Sequence, residues 1–307
     1  MRRRDMLKRT AAFGAMTALP LSVIGENSEG ASRTAARKKD GAGPKPLRPP
    51  AEGSIPVAFL ISEGAVIIDF CGPWEVFQDV SIPGRKEDVF RLYTVAETKE
   101  MIHASAGLKI TPDYTLENAP APKVIVIPAQ SGQSEAMLNW IRKSSQTADL
   151  VMSVCTGAFL LAGTGLLAGK TATTHHDSYR TFAMDFPDVQ MKRGARFVEE
   201  GNLATAGGLS SGIDLALRVV ERYYGHDVAV KTAYGMEYQG TGWMNPDANE
   251  VYAKARVSTE EHPLCPVCFM DVDPATAAQS VYKGKNYYFC MPPHKARFDA
   301  APEKWLS

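Results

Sequence analysis

Cys155 stands where a cysteine can act as a nucleophile. It follows the apolar run DLVMSV and precedes the small residues Thr156, Gly157 and Ala158, which open a helical stretch. Such a strand-to-helix turn projects its side chain into a cleft, and the helix N-terminus favours the thiolate and lowers the thiol pKa. The backbone N–H of Thr156 would face negative charge developing on a substrate. This chemistry requires no cofactor. A buried structural cysteine is the weaker alternative in this setting.

A second group of reactive side chains lies near the C-terminal end. Cys265 and Cys268 form a C-x-x-C pair, and Cys290 is followed by His294 after three residues. Three thiolates and one imidazole at these spacings suit a tetrahedral metal ion, and the set is compatible with zinc or copper(I). In the alternative interpretation the cysteines pack together, or form one disulfide with a thiol left over.

The segments that must position Cys155 alternate between strand and helix patterns. IPVAFLI, KVIVIPA and DLVMSV are short β-rich apolar runs typical of buried parallel strands. Helix patterns cover residues 73–80, 134–144, 158–167 and 212–224. The alternation predicts an α/β fold with a doubly wound parallel sheet, whose ligands bind beyond the carboxyl ends of the strands.

The N-terminal segment has the pattern of an export signal. Arg3 and Arg4 precede a modest apolar stretch in MRRRDMLKRTAAFGAMTALPLSVIG, which predicts a Tat signal over residues 1–30 and a periplasmic location. That stretch is too short to be a stable membrane span. Residues 31–54 are rich in Gly, Pro, Ser and charge and predict a disordered linker. The main domain is predicted over residues 55–243, a linker or helical bridge over 244–261, and a small domain over 262–307.

Charge indicates which kinds of partner the protein binds, and cysteine spacing indicates whether it has a disulfide framework. The 34 basic residues balance 34 acidic ones, so no overall field favours nucleic acid, and small molecules or metal ions are the expected partners. The five cysteines are an odd number with uneven spacing, which is not the pattern of a disulfide framework.

The region around Cys155 resembles the ThiJ/PfpI superfamily. CTGAFLLAGTGLLAGKTATTH is similar to its elbow segment, and VIIDFCGPWEVF, HASAGLKITPDYTL, KVIVIPA and TAGGLSSGIDLALRVVE are similar to further family motifs. The resemblance covers residues 55–243 and is nearest to the isonitrile-hydratase branch. It implies a flavodoxin-like fold of the class I glutamine-amidotransferase type, a small-molecule substrate and a homodimer.

The same resemblance implies roles for three residues beside the nucleophile. Asp69 occupies the position of an acid/base carboxyl, and Thr156 that of an assisting residue. His175 lies at the spacing at which relatives place a histidine near the cysteine, where it would activate the thiol. A histidine that merely closes a strand is an equal alternative. Cys71 is interpreted as a small core residue, with a resolving thiol for Cys155 as the alternative.

Two positions depart from the family pattern. Relatives have a Gly-Gly turn that lends a second oxyanion donor, where this chain has AQSG at residues 129–132. Many relatives have Trp where this chain has His176. We expect backbone donors to survive the first change and the pocket shape to differ, which leaves the substrate open.

The last segment resembles the YHS domain along its whole length, from HPLCPVCFMDVDP to the closing FDAAPEKWL. Relatives usually carry Cys at the position of His294. Two functions follow as hypotheses: a cysteine-dependent, isonitrile-hydratase-like lyase or hydrolase with a metal-binding module, or a non-catalytic periplasmic metal or redox sensor. Some superfamily members are fused to DNA-binding regulators, but this sequence has no helix-turn-helix pattern, so DNA binding is not expected.

Overall fold

The computed structural model describes residues 44–306, so the predicted export signal lies outside the described residues. The strands in this range are β1 (Ile55–Leu60), β2 (Phe90–Ala96), β3 (Ile102–His103), β4 (Lys109–Ile110), β5 (Tyr114–Thr115), β6 (Val124–Ile127), β7 (Leu150–Ser153), β8 (Thr171–Ala172), β9 (Gln190–Met191), β10 (Phe197–Glu200), β11 (Leu203–Ala206), β12 (Ala278–Tyr282) and β13 (Lys285–Phe289). The α-helices are α1 (Ile67–Asp79), α2 (Glu135–Ser145), α3 (Gly157–Gly163), α4 (Tyr179–Asp185), α5 (Ser211–Tyr224), α6 (His226–Gly235) and α7 (Pro292–Ala300).

The main sheet confirms the predicted α/β architecture. Its strand order is β10-β11-β7-β6-β1-β2-β5, and every neighbouring pair is parallel except β10 with β11. All residues of β6 and β7 are buried, because helices cover both faces of a parallel sheet. Strand β2 lies on one side of β1, and β6 and β7 lie on the other, so the order in which strands are added reverses between β1 and β6. This switch point brings the segments after those two parallel strands to one edge of the sheet.

Two apolar layers hold the helices on opposite faces of the sheet. Alternate β1 residues point to opposite sides: Phe59 packs with side chains of α1, α5 and α6, whereas Leu60 packs with those of α2, α3 and α4. This alternation follows from the two-residue period of a strand. The helices thereby fix the loops that carry the functional groups.

Several boundaries differ from the sequence prediction. Helix α1 begins at Ile67, six residues earlier than expected, so Asp69 lies in its first turn. Helix α3 ends at Gly163, earlier than expected, because Thr164 and the left-handed Gly165 (φ 79°) form a turn. Residues 44–54 contain no helix or strand, yet they are attached to the domain.

That attachment corrects part of the predicted disordered linker. The N–H of Leu47 donates to the carbonyl oxygen of Arg222 at 2.8 Å, and the Arg222 guanidinium donates to the carbonyl of Lys45. Leu47 also packs against the core. Within residues 44–306, no helix is long and apolar enough to cross a membrane.

The C-terminal unit is built on a two-stranded hairpin. Strands β12 and β13 pair antiparallel, and Lys283 and Gly284 form the turn between them. Their φ angles of 49° and 75° are typical of a two-residue hairpin turn, whose twist matches that of the strands. Helix α7 packs on the hairpin through Phe298, which contacts Phe289 with ring centroids 5.1 Å apart. So small a core supports few residues by itself.

Candidate active site and metal centre

Cys155 lies in a strained turn between β7 and α3. Its φ of 57° is in the left-handed region, which is uncommon for a residue with a side chain and typical of a nucleophile elbow. Gly157 permits the turn, because a Cβ atom there would lie 2.2 Å from the Ile127 carbonyl oxygen. The strand-to-helix turn predicted from the sequence is therefore present.

Two backbone N–H groups converge on the Cys155 sulfur. Thr156 donates its backbone N–H to the sulfur, and its side chain also hydrogen-bonds the sulfur. Its predicted role towards charge on a substrate stays a prediction. The second backbone donor is Leu209, which was not among the residues predicted from the sequence. Leu209 has a φ of 45° and follows the Gly207-Gly208 turn that ends β11, the strand beside β7. In the sequence, these paired glycines after a predicted strand are the feature that could have indicated a backbone donor here.

Asp69 lies fully buried beside this thiol. Its Oδ2 accepts a hydrogen bond from the Ala129 N–H at 3.1 Å, whereas Oδ1 has no well-aligned partner among the described residues. Burial raises the pKa of Asp69 from 3.8 to about 7, against the smaller lowering effects of Ala129 and the Cys155 thiol. At neutral pH this carboxyl is poised both to accept and to donate a proton.

The environment of Cys155 corrects the expected lowering of its pKa. Burial and the neighbouring Asp69 charge raise the pKa of the Cys155 thiol to about 12, and the N–H groups of Thr156 and Leu209 offset only part of this. Helix α3, with seven residues, begins in a buried setting where desolvation outweighs its dipole. Between pH 7 and pH 12 the thiol and carboxyl therefore hold one proton between them.

The segment at residues 129–132 does not supply the expected backbone donors at three of its four positions. The Ala129 N–H is bonded to Asp69, the Ser131 N–H to the Glu63 carbonyl at 2.9 Å, and the Gly132 N–H to Ser62 Oγ at 3.1 Å. The segment positions the Asp69 carboxyl, and Leu209 provides the second N–H beside the sulfur.

His175 lies after the elbow but is oriented by other groups. Its ring stacks on His176 with centroids 4.4 Å apart, and Nδ1 accepts the Asp177 N–H at 3.3 Å. Burial and His176 lower its pKa. Within the described part of the chain, His175 is not among the groups that shift the pKa of Cys155. Its pairing with the thiol stays a prediction.

Cys71 is half-buried on α1 and packs against the core. Residues two apart on a helix point in nearly opposite directions, so Cys71 faces away when Asp69 faces the Cys155 thiol. This geometry favours the interpretation as a core residue over that of a resolving thiol.

The predicted metal ligands come together in the C-terminal unit. Cys265, Cys268, Cys290 and His294 place their ligand atoms within 4.8 Å of one another. The Cys268 and Cys290 sulfurs are 3.4 Å apart, and His294 Nδ1 lies 3.2 Å from Cys290 Sγ and 3.7 Å from Cys265 Sγ. These separations fit ligand edges around one tetrahedral ion with bonds of about 2.0–2.3 Å.

Local structure prepares this cluster for a cation. Phe269, with a φ of 62°, closes a tight turn in which its N–H donates to the Cys265 carbonyl at 2.8 Å. A hydrogen bond from Cys268 lowers the pKa of Cys265, while burial raises the pKa of Cys290. One thiolate is already favoured, and a bound ion would favour deprotonation of the others. The three sulfurs and one nitrogen fit zinc or copper(I).

The C-terminal unit contacts the main domain through α4. Thr181 Oγ1 donates to the Val267 carbonyl at 3.2 Å, and Arg297 forms an ion pair with Asp185. The Arg180 guanidinium lies 4.9 Å from the centre of the Phe269 ring. The turn that carries Cys265 and Cys268 is thus attached to the helix that follows the His175 segment.

Comparison with known proteins gives two domain matches. The DJ-1/PfpI family matches residues 56–222, and the YHS domain matches residues 265–307. An isonitrile hydratase from Pseudomonas putida is 33% identical over 190 residues, which are 60% of this chain and 79% of that protein. The HTH-type transcriptional regulator GbdR of Pseudomonas aeruginosa is 24% identical over 178 residues, covering 56% of this chain but 48% of the regulator.

Solved structures agree with this assignment. A ThiJ/PfpI family protein from Pseudomonas syringae has a TM-score of 0.55 at 25% identity, covering 61% of this chain and 76% of that one. DJ-1beta of Drosophila melanogaster has a TM-score of 0.52 at 19% identity, covering 61% of this chain and 100% of that one, which supports the fold alone. The chain belongs to the DJ-1/PfpI family, carries a C-terminal YHS domain and has an isonitrile hydratase among its homologues.

Proposed function

We propose that the protein is a cysteine-dependent hydratase that adds water to a small electrophilic carbon compound of the isonitrile class. The observation that carries this proposal is the buried pairing of the strained Cys155 thiol with Asp69, a carboxyl whose pKa of about 7 suits proton transfer at neutral pH. The isonitrile hydratase homologue supports the choice of substrate class.

In the first step, sulfur adds to the isonitrile carbon. The Cys155 sulfur forms a C–S bond to R–N≡C, and the thiol proton passes through Asp69 to the substrate, giving R–N=CH–S–Cys155. The Thr156 and Leu209 N–H groups, which already point at the sulfur, stabilise charge that develops on it. No thiolate has to accumulate beforehand, because the attack and the proton transfer are coupled.

In the second step, water releases the product. Water adds across the C=N bond while Asp69 accepts one of its protons, and the nitrogen is protonated. The C–S bond then breaks, the carbon keeps the oxygen as a carbonyl, and the remaining proton returns to sulfur. The products are R–NH–CHO and the free thiol, so the pair recovers its single proton for the next cycle.

Steady-state hydration of small alkyl and aryl isonitriles tests this proposal, with the formamide product measured by mass spectrometry. We expect turnover by the wild type and a loss of at least roughly 10³-fold in Cys155→Ser. Cys71→Ser is the matched control and should retain activity, since Cys71 faces away from the pair. Equal rates for the wild type and Cys155→Ser would remove Cys155 from the mechanism.

A peroxide-sensing role for Cys155 is less well supported. Formation of sulfenic acid requires a thiolate, and burial together with Asp69 raises the pKa of Cys155 to about 12. Under mild peroxide we expect mass spectrometry to find no selective oxidation of this residue. Selective oxidation would favour the sensor function instead.

For the YHS domain we propose binding of one zinc or copper(I) ion. The bound ion would act as a cross-link between the turn at Cys265 and Cys268 and the start of α7. Metal analysis of the purified protein should give one ion that is lost in Cys268→Ala and His294→Ala. An unchanged metal content in both variants would eliminate this role.

Export by the Tat route and assembly as a homodimer remain predictions. Replacement of Arg3 and Arg4 by Lys should block export of the full chain, which fractionation of cells expressing it would detect. Export that continues without the arginine pair would contradict the first prediction, and a monomer in sedimentation the second.

A further inference from the structure

Three consecutive side chains with metal-binding donors converge between the two domains. Asp177 Oδ1 lies 3.0 Å from His176 Nδ1, and Asp177 Oδ2 lies 3.8 Å from His175 Nδ1. An ion bound at His175 Nδ1 would replace the long hydrogen bond of 3.3 Å that this nitrogen accepts from the Asp177 N–H. The ligand atoms of the three residues all lie within 4.8 Å of one another. None of the three side chains is fully exposed, with 21% to 35% of each accessible.

The local backbone and two stacked contacts fix this arrangement. A short 3-10 turn begins at His176, and the Ser178 N–H donates to the His175 carbonyl at 2.8 Å, which fixes the backbone that carries the three residues. The His176 ring stacks on Tyr252 with centroids 4.5 Å apart and an angle of 11°. The His175 ring packs against Gly208, where a Cβ atom would lie 2.3 Å from the ring.

The donor set determines which ligand it would take. Imidazole nitrogens bind first-row transition ions at about 2.0–2.1 Å and carboxylate oxygens at about 2.0–2.2 Å, so ligand atoms around one ion lie about 3 Å apart. We propose that His175, His176 and Asp177 hold a divalent first-row transition ion in a second metal site. The proposal is independent of the hydratase function and of ion binding by the three cysteines.

A cavity of about 320 Å³ gives an ion access from solvent. Its walls include His176, Asp177 and Cys268, a ligand of the YHS cluster. The second site and the cluster therefore open onto the same space.

The charges around this cavity set the expected affinity. Its lining also contains the cations Arg180, Arg193, Lys254 and Arg256. Arg256 is paired with Asp271 at 2.5 Å, yet the net surroundings are positive. Coulomb repulsion by these cations lowers affinity for a bare dication. We therefore expect the second site to bind more weakly than the cluster of three thiolates and to exchange its ion more readily.

Cobalt(II) titration of the whole zinc-loaded protein tests the proposal. Zinc occupies the thiolates first, so the second site should take one equivalent of cobalt with weak visible d–d bands and no sulfur charge-transfer band. His176→Phe retains a ring that can stack on Tyr252 but lacks the donor nitrogen, and Asp177→Asn removes the carboxylate. Each should weaken binding of this equivalent roughly 100-fold or more, because both are direct ligands.

His226→Phe is the matched control. This histidine lies on the exposed start of α6, outside the group of three, and should leave cobalt binding unchanged. Absence of a saturable equivalent in the zinc-loaded wild type would overturn the proposal. Binding that survives both His176→Phe and Asp177→Asn would do the same. A charge-transfer band in the zinc-loaded protein would instead show that cobalt binds the cysteines, which means that zinc does not hold the YHS cluster. The band therefore separates failure of the YHS proposal from failure of the second-site proposal.

Discussion

Cys155 and Cys265 are both buried cysteines in the same chain, but their surroundings drive them to opposite protonation states. Cys155 lies in a desolvated pocket beside a carboxyl, which raises its pKa to about 12. Cys265 lies among other sulfur and nitrogen donors, and the hydrogen bond from Cys268 lowers its pKa. The proposed functions use this difference: proton-coupled attack by the protonated thiol in one domain and metal binding by the thiolate in the other.

The two surroundings also differ in how they are held in place. A seven-stranded sheet with helices on both faces fixes the Cys155 turn and sustains its left-handed backbone. The YHS cluster rests on a two-stranded hairpin, one helix and a small core. We infer that the first site is preorganised by packing, whereas the second depends on its ion.

Removal of the metal should have the largest effect. Binding of a structural ion contributes on the order of 10 kcal/mol to the folding of small zinc domains. We expect chelation, or Cys290→Ala, to abolish amide hydrogen-exchange protection in β12 and β13 while β6 and β7 stay protected. Cys71→Ala is the control that should leave the hairpin protected. Full hairpin protection in the metal-free protein would contradict the comparison.

Asp69→Asn should have the next largest effect, on catalysis. Loss of general acid/base function costs about 10²–10⁴-fold in rate, because Asn can neither accept nor supply the shared proton. We expect kcat/KM at pH 8 to fall by this factor with no loss of fold by circular dichroism. Asp227→Asn, at an exposed position on α6, is the matched control. Activity near the wild-type level would exclude Asp69 from the reaction.

The raised pKa of Asp69 should also make stability depend on pH. The folded state binds this proton more tightly than the unfolded state, so its contribution is complete below pH 4 and is lost as pH rises to about 7. At about 1.4 kcal/mol per pKa unit, Asp69→Asn should be more stable than the wild type by a few kcal/mol at pH 8. Urea unfolding at pH 5 and pH 8 measures this difference. Equal pH slopes for both proteins would argue against a raised pKa.

Thr181→Val should have the smallest effect. It removes the hydrogen bond from Thr181 Oγ1 to the Val267 carbonyl, which contributes about 1 kcal/mol, and leaves a buried carbonyl without this donor. We expect faster hydrogen exchange in the turn at residues 265–270 and an unchanged main sheet. The exposed Thr241→Val is the control. Equal exchange rates in both variants would mean that the hydrogen bond from Thr181 to Val267 does not stabilise the packing of the C-terminal unit on α4.

Much of the fold could be predicted because its signals are local. VIVI and LVM are short apolar runs typical of strands in a sheet covered on both faces, and both lie in central strands. The early start of α1 could not be predicted with the same ease. Gly72 and Pro73 interrupt the helical pattern there, and packing of α1 against α5 overrides their low propensity.

The candidate sites show the same limit. The ligands of the YHS cluster are close in sequence, and their spacing predicted the cluster. The state of Cys155 depends on Asp69 and Leu209, which are distant in sequence, and on burial that no local pattern encodes. The helix-dipole argument therefore predicted a lowered pKa, whereas desolvation in the folded chain raises it. Nor did the spacing indicate that His176 and Cys268 line one cavity.

The pH dependence of kcat/KM for isonitrile hydration tests the central claim most directly. The pair is active with one shared proton, so the rate should rise with pH through the Asp69 pKa of about 7 and then stay level to pH 9. This rise of the rate with pH should be absent from the residual activity of Asp69→Asn. A wild-type rate that is constant between pH 5 and 9, or that falls through pH 7, would contradict catalysis by this thiol and carboxyl pair.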